Sequence, residues 1–253
     1  MSSDPPEDPR AEPPRKRMVR APTRGDAKGR NQAARLKTAD TRSMSSQQWL
    51  NRQINDPFVK EAKARGYRSR AAFKLLEIDD KYHVLNPAAK VVDLGCAPGG
   101  WVQVCLERGV TRVVGVDLLP VPPLAPAILI EGDFTAEGME AGLINALGAG
   151  PNLILSDMAA NTMGHAQTDH LRIVALVEQA ARFALRVLPP GGHFIAKAFQ
   201  GGEMEAVLRL LRAGFQEVRH FKPKSSRAGS SELYLIALRK KAVVNLPEAS
   251  SVA

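Results

Sequence analysis

Three apolar runs in this chain each lead into an aspartate. Val91-Val92 lead into Asp93 and the turn Leu94-Gly95-Cys96-Ala97-Pro98-Gly99-Gly100-Trp101. Arg112-Val113-Val114-Gly115-Val116 ends at Asp117, and the run 127–131 is followed by Gly132-Asp133-Phe134. The first pattern predicts a buried strand, a tight glycine-rich loop and a helix start. Glycines there let the backbone approach a ligand, and the free N–H groups at the helix start point toward it. In an open α/β sheet such a loop lies at the carboxyl ends of the strands, where ligands bind. A carboxylate at the end of the second strand is placed to take two ribose hydroxyls, and one after the third can accept from an adenine amino group. The dinucleotide pattern G-x-G-x-x-G is absent from the loop, and so is a phosphate loop ending in G-K-[ST]. The chemistry is therefore that of an adenosine-containing ligand without a pyrophosphate, which S-adenosyl-L-methionine satisfies. The alternative is an ordinary α/β turn with acidic caps.

Four further charges stand where packing would not choose them. Asp157 ends Asn152-Leu153-Ile154-Leu155-Ser156, Lys197 interrupts His193-Phe194-Ile195-Ala196, Glu232 opens the last apolar run, and Lys74 precedes the first strand. An ammonium within a buried strand is costly unless a carboxylate opposes it. The residues alone leave two readings open: lysines paired with acids at one place, or four unrelated surface charges.

The elements that must position these residues alternate. Strands are predicted at 90–94, 112–117, 127–131, 152–157, 193–199, 215–221 and 232–239, with helices at 99–108, about 136–147, 169–188 and 203–213 between them. This is a Rossmann-like α/β fold with a mostly parallel seven-stranded sheet and an antiparallel strand near the C-terminus. Ahead of it, Ser45-Ser46, Asp56-Pro57 and Ser69 are expected to start helices, the third carrying Ala72, Phe73, Leu75 and Leu76 on an apolar stripe with Lys74 off it. Residues 1–44 are acidic and proline-rich, then basic, with few large apolar side chains, and are expected to form a disordered arm. The folded domain is expected over 45–240 and a short tail over 241–253.

Across 253 residues the hydrophobic fraction is 44%, enough for a packed core without staples. The only cysteines, Cys96 and Cys105, have neither disulfide nor metal-ligand spacing and are expected to be small packing residues in a reducing, cytoplasmic setting. No membrane span and no metal cluster is expected. A formal net charge of +9 points to a polyanionic partner, most simply nucleic acid. Arg65, Arg68, Arg70, Lys222, Lys224 and Arg227 are the candidates to grip its phosphates.

Taken together, Ser69-Arg70-Ala71-Ala72-Phe73-Lys74-Leu75, Asp93 to Trp101, Ser156-Asp157-Met158-Ala159, Lys197-Ala198-Phe199-Gln200-Gly201 and Lys222 to Arg227 with Glu232 resemble the FtsJ/RlmE-type ribosomal RNA 2′-O-ribose methyltransferases. The resemblance spans about residues 45 to 240. It implies a class I S-adenosylmethionine-dependent methyltransferase with a Lys–Asp–Lys–Glu catalytic set, falling here on Lys74, Asp157, Lys197 and Glu232. It places cofactor contacts on Gly99, Trp101, Asp117, Asp133 and Asp157. It also implies a uridine 2′-hydroxyl of 23S ribosomal RNA, within the large ribosomal subunit, as substrate of a monomeric enzyme. On that basis Lys197 is expected to be the base, Lys74 a neighbouring cation, and the two acids the groups that orient them. A 2′-hydroxyl exists in RNA and not in DNA, so this chemistry selects RNA. Transfer RNA or another RNA as substrate, and a non-catalytic RNA-binding assembly protein, are the competing expectations.

Overall fold

The computed structural model describes residues 55–159, 166–199, 201, 204–227 and 229–244. The expected arm over 1–44, the helix begun by Ser45-Ser46, and the last residues of the tail lie outside these.

Two helices precede the sheet: α1 (Pro57–Ala64) and α2 (Ala71–Tyr82). Asp56 caps α1 as its sequence predicts: its Oδ1 accepts the Phe58 N–H at 3.0 Å, with proline at the first helical position. Ser69 does not cap α2, contrary to expectation. Arg70 occupies the cap position without a side-chain bond, and the Ser69 hydroxyl is buried without a partner. Ser69 Oγ packs instead against the glycine loop, in space left by the missing side chain of Gly100, where an added Cβ would come within 2.5 Å of it.

The sheet elements follow in order: β1 (Lys90–Leu94), α3 (Gly100–Glu107), β2 (Arg112–Asp117), β3 (Ile128–Glu131), α4 (Met139–Leu147), β4 (Leu153–Ser156), α5 (Ala166–Val187), β5 (His193–Phe199), α6 (Glu205–Gly214), β6 (Phe215–Phe221) and β7 (Glu232–Lys240). Strand order is β3-β2-β1-β4-β5-β7-β6. The pairings of β1 through β5 are parallel, and β7 runs antiparallel to both of its neighbours. The order reverses between β1 and β4, the switch point where a ligand crevice is expected.

Period-two alternation sends the strands' side chains to two separate cores. Val92, Ile154, Phe194 and Leu235 face a layer that includes Leu143 of α4, Phe183 of α5 and Leu211 of α6. Val91, Leu155, Ile195 and Ile236 face α2 and α3 through Leu75, Ile78, Val102 and Val104. Both cysteines are buried in this second core, and burial pushes both thiols up, so they pack as small apolar groups. The same alternation places Lys197, two residues beyond Ile195, and Tyr234, two before Ile236, on the side of α2. Among the described residues no helix is long and apolar enough to cross a membrane.

Candidate active site

A cavity of about 300 Å³ opens beside the switch point, at the carboxyl ends of β1, β2 and β4. Asp117, Asp133 and Asp157 line it, with Gly95, Phe134 and Met158 among its apolar walls. Gly95 has φ +79°, and a Cβ there would meet the Met158 backbone at 2.8 Å. That close approach of the glycine loop to the segment after β4 requires glycine.

Two of the wall carboxylates are held by loop amides. Asp117 accepts the Ala97 N–H through Oδ2 and the Leu119 N–H through Oδ1, both at 2.9 Å. Asp133 Oδ1 accepts the Thr135 N–H at 2.8 Å and the Thr135 hydroxyl at 2.7 Å, and these bonds, the backbone one first, lower its pKa. Both acids are thus fixed hydrogen-bond acceptors facing a pocket at the small end of the usual ligand-site range.

Gly99 and Trp101 are not among the residues lining this cavity. Trp101 is buried, donates its indole N–H to the Ala71 carbonyl at 2.8 Å, and lies 5.7 Å from the Tyr234 ring. Gly99 begins α3 with φ +107°, and a Cβ there would press on the Arg68 guanidinium at 2.9 Å. Arg68 in turn donates to the carbonyls of Pro98, Pro122 and Pro123 at 3.2, 2.7 and 3.1 Å. It fastens the glycine loop to the proline-rich connection after β2.

The four isolated charges converge as two pairs. Lys197 Nζ donates to the Asp157 carbonyl at 2.5 Å and stands 3.2 Å from Asp157 Oδ1. Lys74 Nζ stands 2.7 Å from Glu232 Oε1, which also accepts the Ser226 hydroxyl at 2.9 Å. Lys74 was expected off the apolar stripe of its helix. It is 9% exposed, because the face it occupies is covered by β7 and the β6–β7 connection.

One residue that the sequence did not single out joins the pairs. Tyr234 is fully buried, donates its hydroxyl to Asp157 Oδ1 at 2.8 Å, and holds its ring 5.7 Å below the Lys74 ammonium. Register explains it: Lys197 and Tyr234 are directly opposed on β5 and β7. Burial, then the Asp157 and Glu232 charges, push the phenol well above its usual value, so it is a donor at any working pH. Sequence spacing could have placed Tyr234 on the inner face of its strand but could not give the cross-strand register.

The basic residues divide. Arg70 is turned inward against the Asp56 carboxylate and the Ser225 carbonyl. Arg65 pairs with Glu61 at 2.5 Å and lies over the Phe73 ring. Arg68 and Arg70 are thus held by intramolecular partners, whereas the Arg65 pair is an exposed one. Lys224 is exposed, and Arg227 reaches Asp56 at 3.4 Å from a partly open position. Arg70, Lys74, Arg227, Ser230 and Glu232 line a second recess of about 200 Å³ beside the outer pair. Among the histidines, His193 is half-buried, accepts the Arg239 N–H through Nδ1 at 3.2 Å, and has its pKa lowered by burial. His165 lies outside the described residues.

A mostly parallel sheet, a glycine loop at its switch point and paired acids at the following strand ends define an S-adenosylmethionine-dependent methyltransferase. The chain belongs to the FtsJ-like methyltransferase family, whose model matches residues 67–240. It is 60% identical over 220 residues to a Caulobacter vibrioides protein named ribosomal RNA large subunit methyltransferase E, covering 87% of this chain and 97% of that one. It is 55% identical over 208 residues to a Granulibacter bethesdensis protein of the same name, covering 82% and 90%. A crystal structure from Plasmodium falciparum, described as a ribosomal RNA methyltransferase, matches with a TM-score of 0.61 and 32% identity, covering 69% of this chain and 98% of that one.

Proposed function

We propose that the chain methylates the 2′-hydroxyl of a uridine in 23S ribosomal RNA, acting in the cytoplasm on the large ribosomal subunit as a monomer and without a metal. The observation that carries this reading is the meeting of Lys197–Asp157 and Lys74–Glu232 through Tyr234, with Asp157 shared by the cofactor cavity. S-adenosylmethionine, when bound, supplies a methyl group already activated on a sulfonium.

The protein has two tasks: to hold the ribose oxygen in line and to accept its proton. Asp117 would receive the cofactor's ribose hydroxyls and Asp133 its adenine amino group. Gly99 and Trp101 act from behind, shaping the loop and the floor under Tyr234. Lys197 acts in its neutral amine form: its Nζ lone pair takes the proton of the 2′-hydroxyl as the oxygen takes the methyl group, and the amine becomes an ammonium. The Asp157 carboxylate beside it offsets the ammonium charge that results, and its bond from Tyr234 keeps it aimed. Lys74 and Glu232 face the cationic recess, where a polyanionic substrate would approach.

The test is to map 2′-O-methyl groups in 23S ribosomal RNA from cells with and without the protein, and to measure labelled methyl transfer to purified large subunits and to transfer RNA. One uridine losing its methyl group, with transfer to subunits, is expected. Transfer to transfer RNA instead, or to neither, would overturn the substrate assignment.

A further inference from the structure

The β6–β7 connection, residues 222–231, is longer than the usual hairpin loop of about two to five residues, and such a loop needs outside contacts to stay in one conformation. Helix α2 supplies them. Glu77 accepts two successive main-chain N–H groups of the connection, Lys224 through Oε2 at 2.6 Å and Ser225 through Oε1 at 2.8 Å. Arg70, two turns earlier, donates to the Ser225 carbonyl. Arg70, Lys74 and Glu77 therefore form one i, i+4, i+7 stripe, and that stripe faces the connection and its continuation, Glu232. The residue after the clasped pair, Ser226, is buried and donates to Glu232 Oε1, the oxygen that also meets Lys74 Nζ.

We propose that Glu77 is a positioning residue of the methyl-transfer site. By gripping the Lys224 and Ser225 amides it sets Ser226, and through Ser226 it sets the Glu232 carboxylate against Lys74. The inference rests on the function proposed above and adds to it a residue with no contact to the cofactor cavity. Charge is what makes the grip strong: each carboxylate oxygen takes one N–H in a charge-assisted bond. A glutamine has one acceptor oxygen and would turn its NH₂ donor toward the other amide. The route also predicts where the effect stops. The cofactor cavity shares no lining residue with this network, so cofactor affinity is independent of Glu77.

The experiment uses the full chain and the variants Glu77→Gln, Ser226→Ala and the double change. Hydrogen exchange at the 224 and 225 amides reads the grip without reference to activity, so it separates failure of this proposal from failure of the functional reading. In Glu77→Gln those amides exchange faster and kcat on large subunits falls about tenfold, the size of one lost charge-assisted bond. S-adenosylhomocysteine affinity by calorimetry is unchanged. Ser226→Ala lowers kcat similarly, and the double variant is no slower than the slower single one, because both act along one route. Faster exchange with unaltered kcat, or strictly additive losses, would overturn the proposal. So would a parallel loss of S-adenosylhomocysteine affinity, which marks general loosening. Should Glu77→Gln fail to fold, Ser226→Ala decides alone: unchanged kcat in that variant defeats the relay.

Discussion

The two lysine–carboxylate pairs are buried to a similar degree yet are built differently. Lys197 lies on β5 and Asp157 directly follows β4, its parallel neighbour, and the amine is tied to the Asp157 main chain as well as to its side chain. Lys74 and Glu232 come from a helix and from the first residue of the last strand, so their meeting depends on a long connection being docked. Asp157 of the inner pair lines the cofactor cavity; both members of the outer pair line the recess with Arg70, Arg227 and Ser230. The difference teaches that similar ion pairs can divide one reaction. In the proposed reaction the pair tied to a main-chain carbonyl serves the ribose oxygen, and the pair that depends on a docked loop serves the incoming polyanion.

The largest expected effect tests that division directly. Lys197→Ala should lower methyl transfer by about 10³-fold, within the range for loss of a positioned base, while cofactor still binds. Labelled transfer and calorimetry measure the two together. Wild-type-like turnover in Lys197→Ala would remove the inner pair from the chemistry.

A smaller effect concerns the link between the pairs. Tyr234→Phe keeps the ring under Lys74 and removes only the bond to Asp157, so kcat should fall roughly tenfold with little change in KM. A rise in KM at constant kcat would instead place Tyr234 in substrate binding.

A separate effect, on stability and not on turnover, concerns the buried acid behind the inner pair. Asp93 is fully buried in β1 with neither carboxylate oxygen bonded. Burial first, then the Asp157 and Asp117 charges, push its pKa well above the ordinary range. A carboxyl raised in the folded state contributes stability below its unfolded value of about 3.9, and that contribution is lost as pH rises toward the folded value. Asp93→Asn removes this dependence. Its stability relative to wild type should therefore increase from pH about 4 toward neutrality, by at most about 1.4 kcal/mol per pH unit. Urea unfolding of both proteins across that interval measures it. A constant difference would mean that Asp93 is already ionised when folded.

The sheet was legible because its signals are local. Apolar runs ending in Asp93, Asp117 and Asp157, and the glycines between them, mark strand ends and loops without reference to the rest of the chain. The four charges stood out because each contradicts its apolar surroundings. What could not be read is what depends on register and docking. Tyr234 looks like any aromatic strand residue until β7 is laid against β5. Arg68 and Arg70 look like phosphate ligands until the loops whose carbonyls they hold are brought to them. Glu77 looks like an exposed helix position until a segment far along the chain comes to rest on it. Ser69 shows the same limit in reverse, a good local cap redirected by a tertiary neighbour.

The place of β7 in the sheet also bears on timing. It is the last strand among the described residues, yet it lies between β5 and β6 and carries both Glu232 and Tyr234. A partly synthesised chain can complete the crevice between β1 and β4 while it still lacks Glu232 and Tyr234. On the roles proposed for Glu232 and Tyr234, methyl transfer waits until β7 lies between β5 and β6, two strands that leave the ribosome before it.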